Sequence, residues 1–181
     1  MAIAQADDTC LVRQAQDGYL DAYGELVDRH GKVAYRVALR LVGNHHDAED
    51  IAQEALLAAW QHLDCYRAES SFRTWLYQIV TRRALNQVTR TRPTSSLDLL
   101  GDIAEPGGQP AAMAERSQTA SAVAAAIAAL PPAQRLAIVL HHLEGLPNDD
   151  IADITASTVP AVRSHLFRGR RTLTRTLAAW R

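Results

Sequence analysis

Apolar residues recur at three- and four-residue spacing along most of this chain. They alternate strictly with polar ones nowhere for long, so the pattern predicts helices rather than strands. Leu26, Val27, Val33, Val37, Leu39 and Leu41 mark a helical segment over 20–42, interrupted near Gly31. Gly43-Asn44 reads as a stop. The next segment, 47–60, opens with Asp47, Glu49 and Asp50, where acids favour the positive end of the helix dipole. Ile51, Leu56, Leu57 and Trp60 give it an apolar side. A loop at 64–71 precedes a third segment, 72–90, whose predicted buried stripe is Trp75, Leu76, Ile79, Val80, Leu85 and Val88.

From Pro93 to Gln118 the period is lost. Pro93, Pro106, Gly107, Gly108 and Pro110 break it, and the charges are mainly acidic. A structureless stretch this long inside one compact domain is unusual, so it reads as a joint between two domains. Leu97, Leu99, Leu100 and Ile103 suggest that part of it docks on something. An alanine-rich helix is expected from about Thr119 to Leu130, stopped by Pro131-Pro132. A further helix over 133–143 ends at Gly145, a left-handed cap. Then come Ile151 and Ile154, the polar turn Thr155-Ala156-Ser157-Thr158, and Val162 and Leu166. That spacing predicts a helix-turn-helix. The fold class is all-α: two small helical domains, 1–92 and 119–181, joined by a flexible linker over 93–118, the C-terminal domain a helix-turn-helix.

Charge sharpens the picture at one end. The chain has 19 basic and 20 acidic residues, yet from Arg163 to Arg181 there are six arginines and no acid. A basic helix after a helix-turn-helix pattern is either a solvated face or a DNA-binding surface, and the coincidence of pattern and charge favours DNA. No apolar run is long enough to span a membrane, and the N-terminus, with Asp7 and Asp8, lacks a signal-peptide pattern. The expected location is the cytoplasm. Cys10 and Cys65 are too far apart for a CxxC motif and read as two reduced thiols. His45-His46 and His141-His142 lack a completing ligand pattern, so neither a metal nor a cofactor is expected. No catalytic constellation or phosphate-binding glycine loop is present, so the chain does not read as an enzyme or as a binder of a small-molecule substrate.

Asp50, Gln53 and Glu54 share one helix face, which is either a solvated face or a docking surface. The ordered set of motifs resembles the extracytoplasmic-function group of bacterial RNA polymerase sigma factors across nearly the whole chain. The segments that carry it are 47–56 (DAEDIAQEAL), 72–76 (FRTWL), 130–135 (LPPAQR), Glu144-Gly145-Leu146 and Asp150-Ile151-Ala152. The resemblance implies that Asp50, Gln53 and Glu54 dock on the core polymerase, built around its beta and beta-prime subunits. It implies that the loop 64–71 and the helix after it read and melt the −10 element. The aromatic candidates there are Tyr66, Phe72, Trp75 and Tyr77, and the polar ones Arg73, Arg82, Arg83, Asn86, Arg90 and Arg92. Trp75 and Tyr77 cannot both face DNA from neighbouring helix positions, and by position Trp75 reads equally as core. Arg82 stands where the family often has asparagine.

For the −35 element the resemblance implies Thr158, Val159, Ala161, Arg163, Ser164, His165, Arg168, Arg170 and Arg171, with Thr158 as the helix cap. Pro160, Ala161 and His165 replace glycine, threonine and arginine that are frequent in the family, which removes donors from the groove-facing surface. It also implies promoter DNA and an anti-sigma protein as partners. Two rival readings are a stand-alone helix-turn-helix regulator and a helical decoy that occupies polymerase.

Overall fold

The computed structural model describes residues 6–90 and 110–178, and every regular element among them is helical. The N-terminal domain holds α1 (Asp8–Gln16), α2 (Leu20–Val42), α3 (His45–Gln61) and α4 (Phe72–Arg90), with a 3-10 turn at Leu63–Cys65. The C-terminal domain holds α5 (Pro110–Ala128), α6 (Pro132–Ile138), a π-turn at Val139–Leu143, α7 (Asn148–Ile154) and α8 (Val159–Ala178).

Local chemistry sets most of these bounds. Side chains close the helix starts by accepting orphan backbone N–H groups. Asp7 takes the Cys10 amide at 2.7 Å, Asn44 the Asp47 amide at 2.7 Å, and Ser71 the Thr74 amide at 3.1 Å. Gly43 ends α2 at φ 84°, and Gly145 turns the chain at φ 71° after the π-turn. Both sit in the left-handed region, where a Cβ would be strained. At the end of α7 that role falls to Ala156, at φ 48°, with the Ser157 amide returned to the Ala152 carbonyl at 2.9 Å.

α1 lies before the first helix that the pattern predicted, and the helix expected over 133–143 gives way to the π-turn after Ile138. Two further boundaries differ from the pattern-based expectation. α2 runs unbroken through Gly31. One glycine costs a helix about 1 kcal/mol, which the buried stripe Ala22, Leu26, Ala34, Val37, Ala38 and Leu41 outweighs. Similarly, α5 begins at Pro110 rather than near Thr119, inside the stretch read as linker. Proline suits a helix's first turn, and Ala111, Ala112 and Ala114 are strong helix formers. The remainder of that stretch, with Leu97, Leu99, Leu100 and Ile103, lies outside the described residues, as do Arg92 and Arg181.

The core is one apolar cluster running through both domains. It takes Leu11, Leu26, Val37, Ile51, Leu76 and Val80 from the first and Leu130, Ile138, Leu140, Ile151, Val162 and Leu166 from the second. α4 lies against α6 and α7, and α2 against α5, α6 and the π-turn, so the two domains are docked on each other.

Within the second domain, α8 crosses α6 closely at Gly169. A Cβ there would stand 2.9 Å from Ile138 Cγ1 and 3.6 Å from the Gln134 carbonyl oxygen. Gly169→Ala gains about 1 kcal/mol of helix propensity but overpacks the crossing, which costs about 1–3 kcal/mol. The expected result is a net loss near 1 kcal/mol, seen as a fall of about 2–4 °C in Tm. A rise in Tm would show that the crossing relaxes freely.

Candidate nucleic-acid and protein interfaces

α3 presents Asp50, Gln53 and Glu54 to solvent together, as the helical spacing predicts. Leu57 continues that face and is 57% exposed, an apolar residue beside three polar ones. The flank of that face is anchored on α2. The Tyr23 hydroxyl donates to the Leu56 carbonyl at 2.5 Å, and its ring lies 4.9 Å from that of Trp60. Burial pushes the Tyr23 phenol up to about 12. Asp50 sits 3.7 Å from His46, and Glu54 Oε2 accepts from Arg83 Nη1 at 2.6 Å.

The aromatic residues around the start of α4 divide by burial. Phe72 is 2% exposed and Tyr77 1% exposed, so both belong to the core. The expectation that Phe72 meets DNA therefore fails in this arrangement: its ring is packed between His30, Tyr66 and Trp75. Of the pair that could not both face outward, Trp75 is the half-buried one, 5.0 Å from the Tyr66 ring. Tyr66 is half-buried too, its hydroxyl donating to the Ser70 carbonyl at 2.6 Å. Further along α4, Arg82, Asn86 and Arg90 are exposed. Trp75, Arg82, Arg83 and Asn86 line one wall of a groove of about 730 Å³; Asp153 and Thr155 of the helix-turn-helix lie on the other. That is the volume of a small-molecule pocket rather than of a duplex channel.

Glu144 closes the two domains from the other side. Its side chain is 4% exposed, although no neighbour in sequence explains that burial. Arg40 of α2 donates to it, Arg73 Nη2 lies 3.8 Å away, and the Tyr77 hydroxyl donates at 3.3 Å. Arg73 Nη2 also donates to the Glu144 backbone carbonyl at 2.9 Å. One carboxylate from the second domain thus gathers three side chains of the first, and Arg73 is occupied by the protein itself. Arg135 adds a second strut, donating to the Leu41 carbonyl across the interface and to the Ala128 and Leu130 carbonyls in its own domain. Its burial lowers the guanidinium's affinity for its proton.

On α8, Arg163, Ser164, Phe167, Arg168 and Arg171 are exposed at helical spacing and form one stripe. None of these arginines pairs with an acid among the described residues. Val159, Ala161 and His165 are half-buried, and His165 Nδ1 is enclosed without a hydrogen-bond partner. Arg170 is exposed but donates to His142 Nε2 at 3.0 Å. Burial, then Arg170, then His141 push the His142 pKa down. Thr158 caps α8 through a long hydrogen bond, 3.4 Å to the Ala161 amide. Phe167, 66% exposed, was missed by the sequence reading, although its spacing from Arg163 and Ser164 was readable. Among the described residues no group of three His, Cys, Asp or Glu side chains is placed to hold a metal, and no helix is long and apolar enough to cross a membrane.

Residues 26–94 match the family model of sigma-70 region 2, and residues 120–173 match that of sigma-70 region 4. The ECF RNA polymerase sigma-E factor of Escherichia coli is 34% identical, over 92% of this chain and 92% of that protein. The chain belongs to the ECF RNA polymerase sigma factors. The ECF sigma factor SigW of Bacillus subtilis is 29% identical over 92% of this chain and 94% of its own length. Among solved structures, CnrH in complex with the cytosolic domain of CnrY superposes with a TM-score of 0.72 at 27% identity, covering 95% of this chain and 97% of that one. A sigma factor RpoE from Bartonella quintana, solved with the anti-sigma factor NepR, shares the fold at TM-score 0.67 and 21% identity, over 88% and 98% of the two chains.

Region 2 of this sigma factor thus spans most of α2 together with α3 and α4, and region 4 carries the DNA-binding helix-turn-helix of α7 and α8. Sigma factors are not enzymes; they bring promoter recognition to RNA polymerase, which does the chemistry. That assignment sets aside the stand-alone regulator.

Proposed function

We propose that this sigma factor binds core polymerase through Asp50, Gln53 and Glu54 of α3, where the core presents its beta and beta-prime subunits. The exposed α4 residues Arg82, Asn86 and Arg90, with Arg73 and Arg83 once freed from their glutamates, hold the −10 strand. Trp75 and Tyr66 offer aromatic surface to unstacked bases. The stripe on α8 grips the −35 element, with arginines on phosphates and Ser164 and Phe167 at base edges. The observation that carries this reading is that stripe: exposed, basic and, among the described residues, unpaired with acid, on the second helix of a helix-turn-helix.

The docked arrangement is a resting form. Its groove places the −10 candidates against region 4, so the domains separate before α4 receives DNA. We infer that a partner of the anti-sigma kind holds the closed form, as CnrH is bound by the cytosolic domain of CnrY. These roles place the chain in the cytoplasm.

The test is reconstitution. This chain added to sigma-free core should yield transcripts from promoters selected out of random DNA by the resulting holoenzyme. Transcription no better than core alone would contradict the reading and favour a decoy.

Salt dependence checks the phosphate contacts separately. Each phosphate neutralised adds about 0.9 to the slope of log affinity against log salt. Arg168→Ala should lower that slope by about 1 while leaving sequence preference intact. An unchanged slope would remove Arg168 from the phosphate contacts.

A further inference from the structure

The ion pair between Glu54 and Arg83 joins two surfaces that the proposed function keeps separate. Glu54 belongs to the polar face of α3, one turn beyond Asp50, and its side chain is 62% exposed. Arg83 belongs to α4, lines the groove beside Arg82 and Asn86, and its side chain is 35% exposed. The contact is 2.6 Å, between residues 29 positions apart in the chain. Both charges reach solvent; Glu54 is open to an outside partner, and Arg83 becomes open to DNA once the domains separate.

Consider what each partner meets while the pair is closed. A basic group on polymerase approaches a carboxylate already neutralised by Arg83. A phosphate approaches a guanidinium already neutralised by Glu54, with a like charge 2.6 Å behind it. Either partner must therefore compete with the internal one. Once polymerase takes Glu54, the positive charge of Arg83 is uncovered for the DNA strand, and the reverse holds equally. Favouring of one ligand by another is reciprocal in binding free energy.

We propose that Glu54–Arg83 is a coupling pair, through which docking on core polymerase raises the affinity of α4 for the promoter strand. Arg83 here competes with polymerase for Glu54 and is also a phosphate contact. The proposal rests on the core-binding and −10 roles assigned above to α3 and α4. Exposed ion pairs contribute about 0.2–1 kcal/mol, which converts to a coupling of about 1.5- to 5-fold.

The experiment is a double-mutant cycle on the full chain, titrated against sigma-free core polymerase without DNA. Arg83→Gln removes the internal competitor and should tighten core binding by that factor of about 1.5 to 5. Arg83→Lys restores the charge and should return affinity towards wild type. In the Glu54→Gln background, Arg83→Gln should have no effect, because the residue it competes for is gone. The holoenzyme with Arg83→Gln should also lose about one phosphate's worth of salt slope on promoter DNA. A merely structural arginine would move neither the cycle nor the slope in this pattern.

Unchanged or weaker core binding by Arg83→Gln, with helicity and Tm preserved, overturns the coupling. So does equal tightening in the presence and absence of the Glu54 carboxylate. If the wild-type chain fails to bind core at all, the α3 docking role falls, and the coupling with it. Binding by wild type with no response to Arg83→Gln removes the coupling alone.

Discussion

Glu144→Ala should loosen the closed form without unfolding either domain. The substitution leaves Arg40 and Arg73 without their shared carboxylate and Tyr77 without one acceptor. Breaking a fully buried ion pair costs about 3–5 kcal/mol. Here the arginine side chains are 28% and 42% exposed, so water replaces part of what is lost. The expected cost is about 1–3 kcal/mol. It should fall on the contact between domains, because the partners lie 104, 71 and 67 positions away from Glu144 in sequence. Amide exchange should quicken in the π-turn and in the first turns of α4, and X-ray scattering should report a larger radius of gyration. Arg73 would then keep only the backbone carbonyl of residue 144 across the interface, and opening of the domains would release it for DNA. Unchanged exchange, size and stability would show that apolar packing alone holds the domains together, and that Glu144 merely fills its site.

A double substitution, Gln53→Ala with Glu54→Ala, should remove core binding almost entirely. Both residues are exposed, and away from special contacts an exposed position changes stability by no more than about 0.5 kcal/mol. The Glu54–Arg83 pair adds at most about 1 kcal/mol. Interface residues of the hot-spot kind contribute about 2–4 kcal/mol each, so affinity for core should fall by two or more orders of magnitude. Circular dichroism and Tm would establish that the fold survives. Core affinity within a few-fold of wild type, in a folded variant, would move the docking surface elsewhere, with the neighbouring Leu57 and Asp50 the first places to look.

From residue 20 onward the helices and their order were legible because most have a local cause, an apolar period or a stopping glycine; α1 was not foreseen. Those causes act within a few residues, so reading them needs no tertiary knowledge. Gly31 shows the limit, since its local cost was visible and the packing that outweighs it was not. Pro110 shows another, as a residue that breaks a helix interior also begins a helix well.

The outward faces of α3 and α8 were legible for the same local reason. The aromatic group at the start of α4 was not, because spacing says which residues share a face and not which face is covered. Phe72 went inward and Trp75 stayed at the groove for reasons that depend on α1, α2 and the second domain. Glu144 belongs to a motif of the family resemblance, yet nothing in the sequence signalled its burial. Beside a left-handed glycine it reads as an ordinary surface acid, and its burial exists only because Arg40 and Arg73 arrive from the other domain.

The central claim is that this chain is a promoter-specificity subunit working on polymerase. Its most direct test is size-exclusion chromatography of the purified chain mixed with sigma-free bacterial core polymerase. The account predicts co-elution at one-to-one stoichiometry, lost in the Gln53→Ala, Glu54→Ala variant. Separate elution of a demonstrably folded chain, in its free and unclamped state, would contradict it.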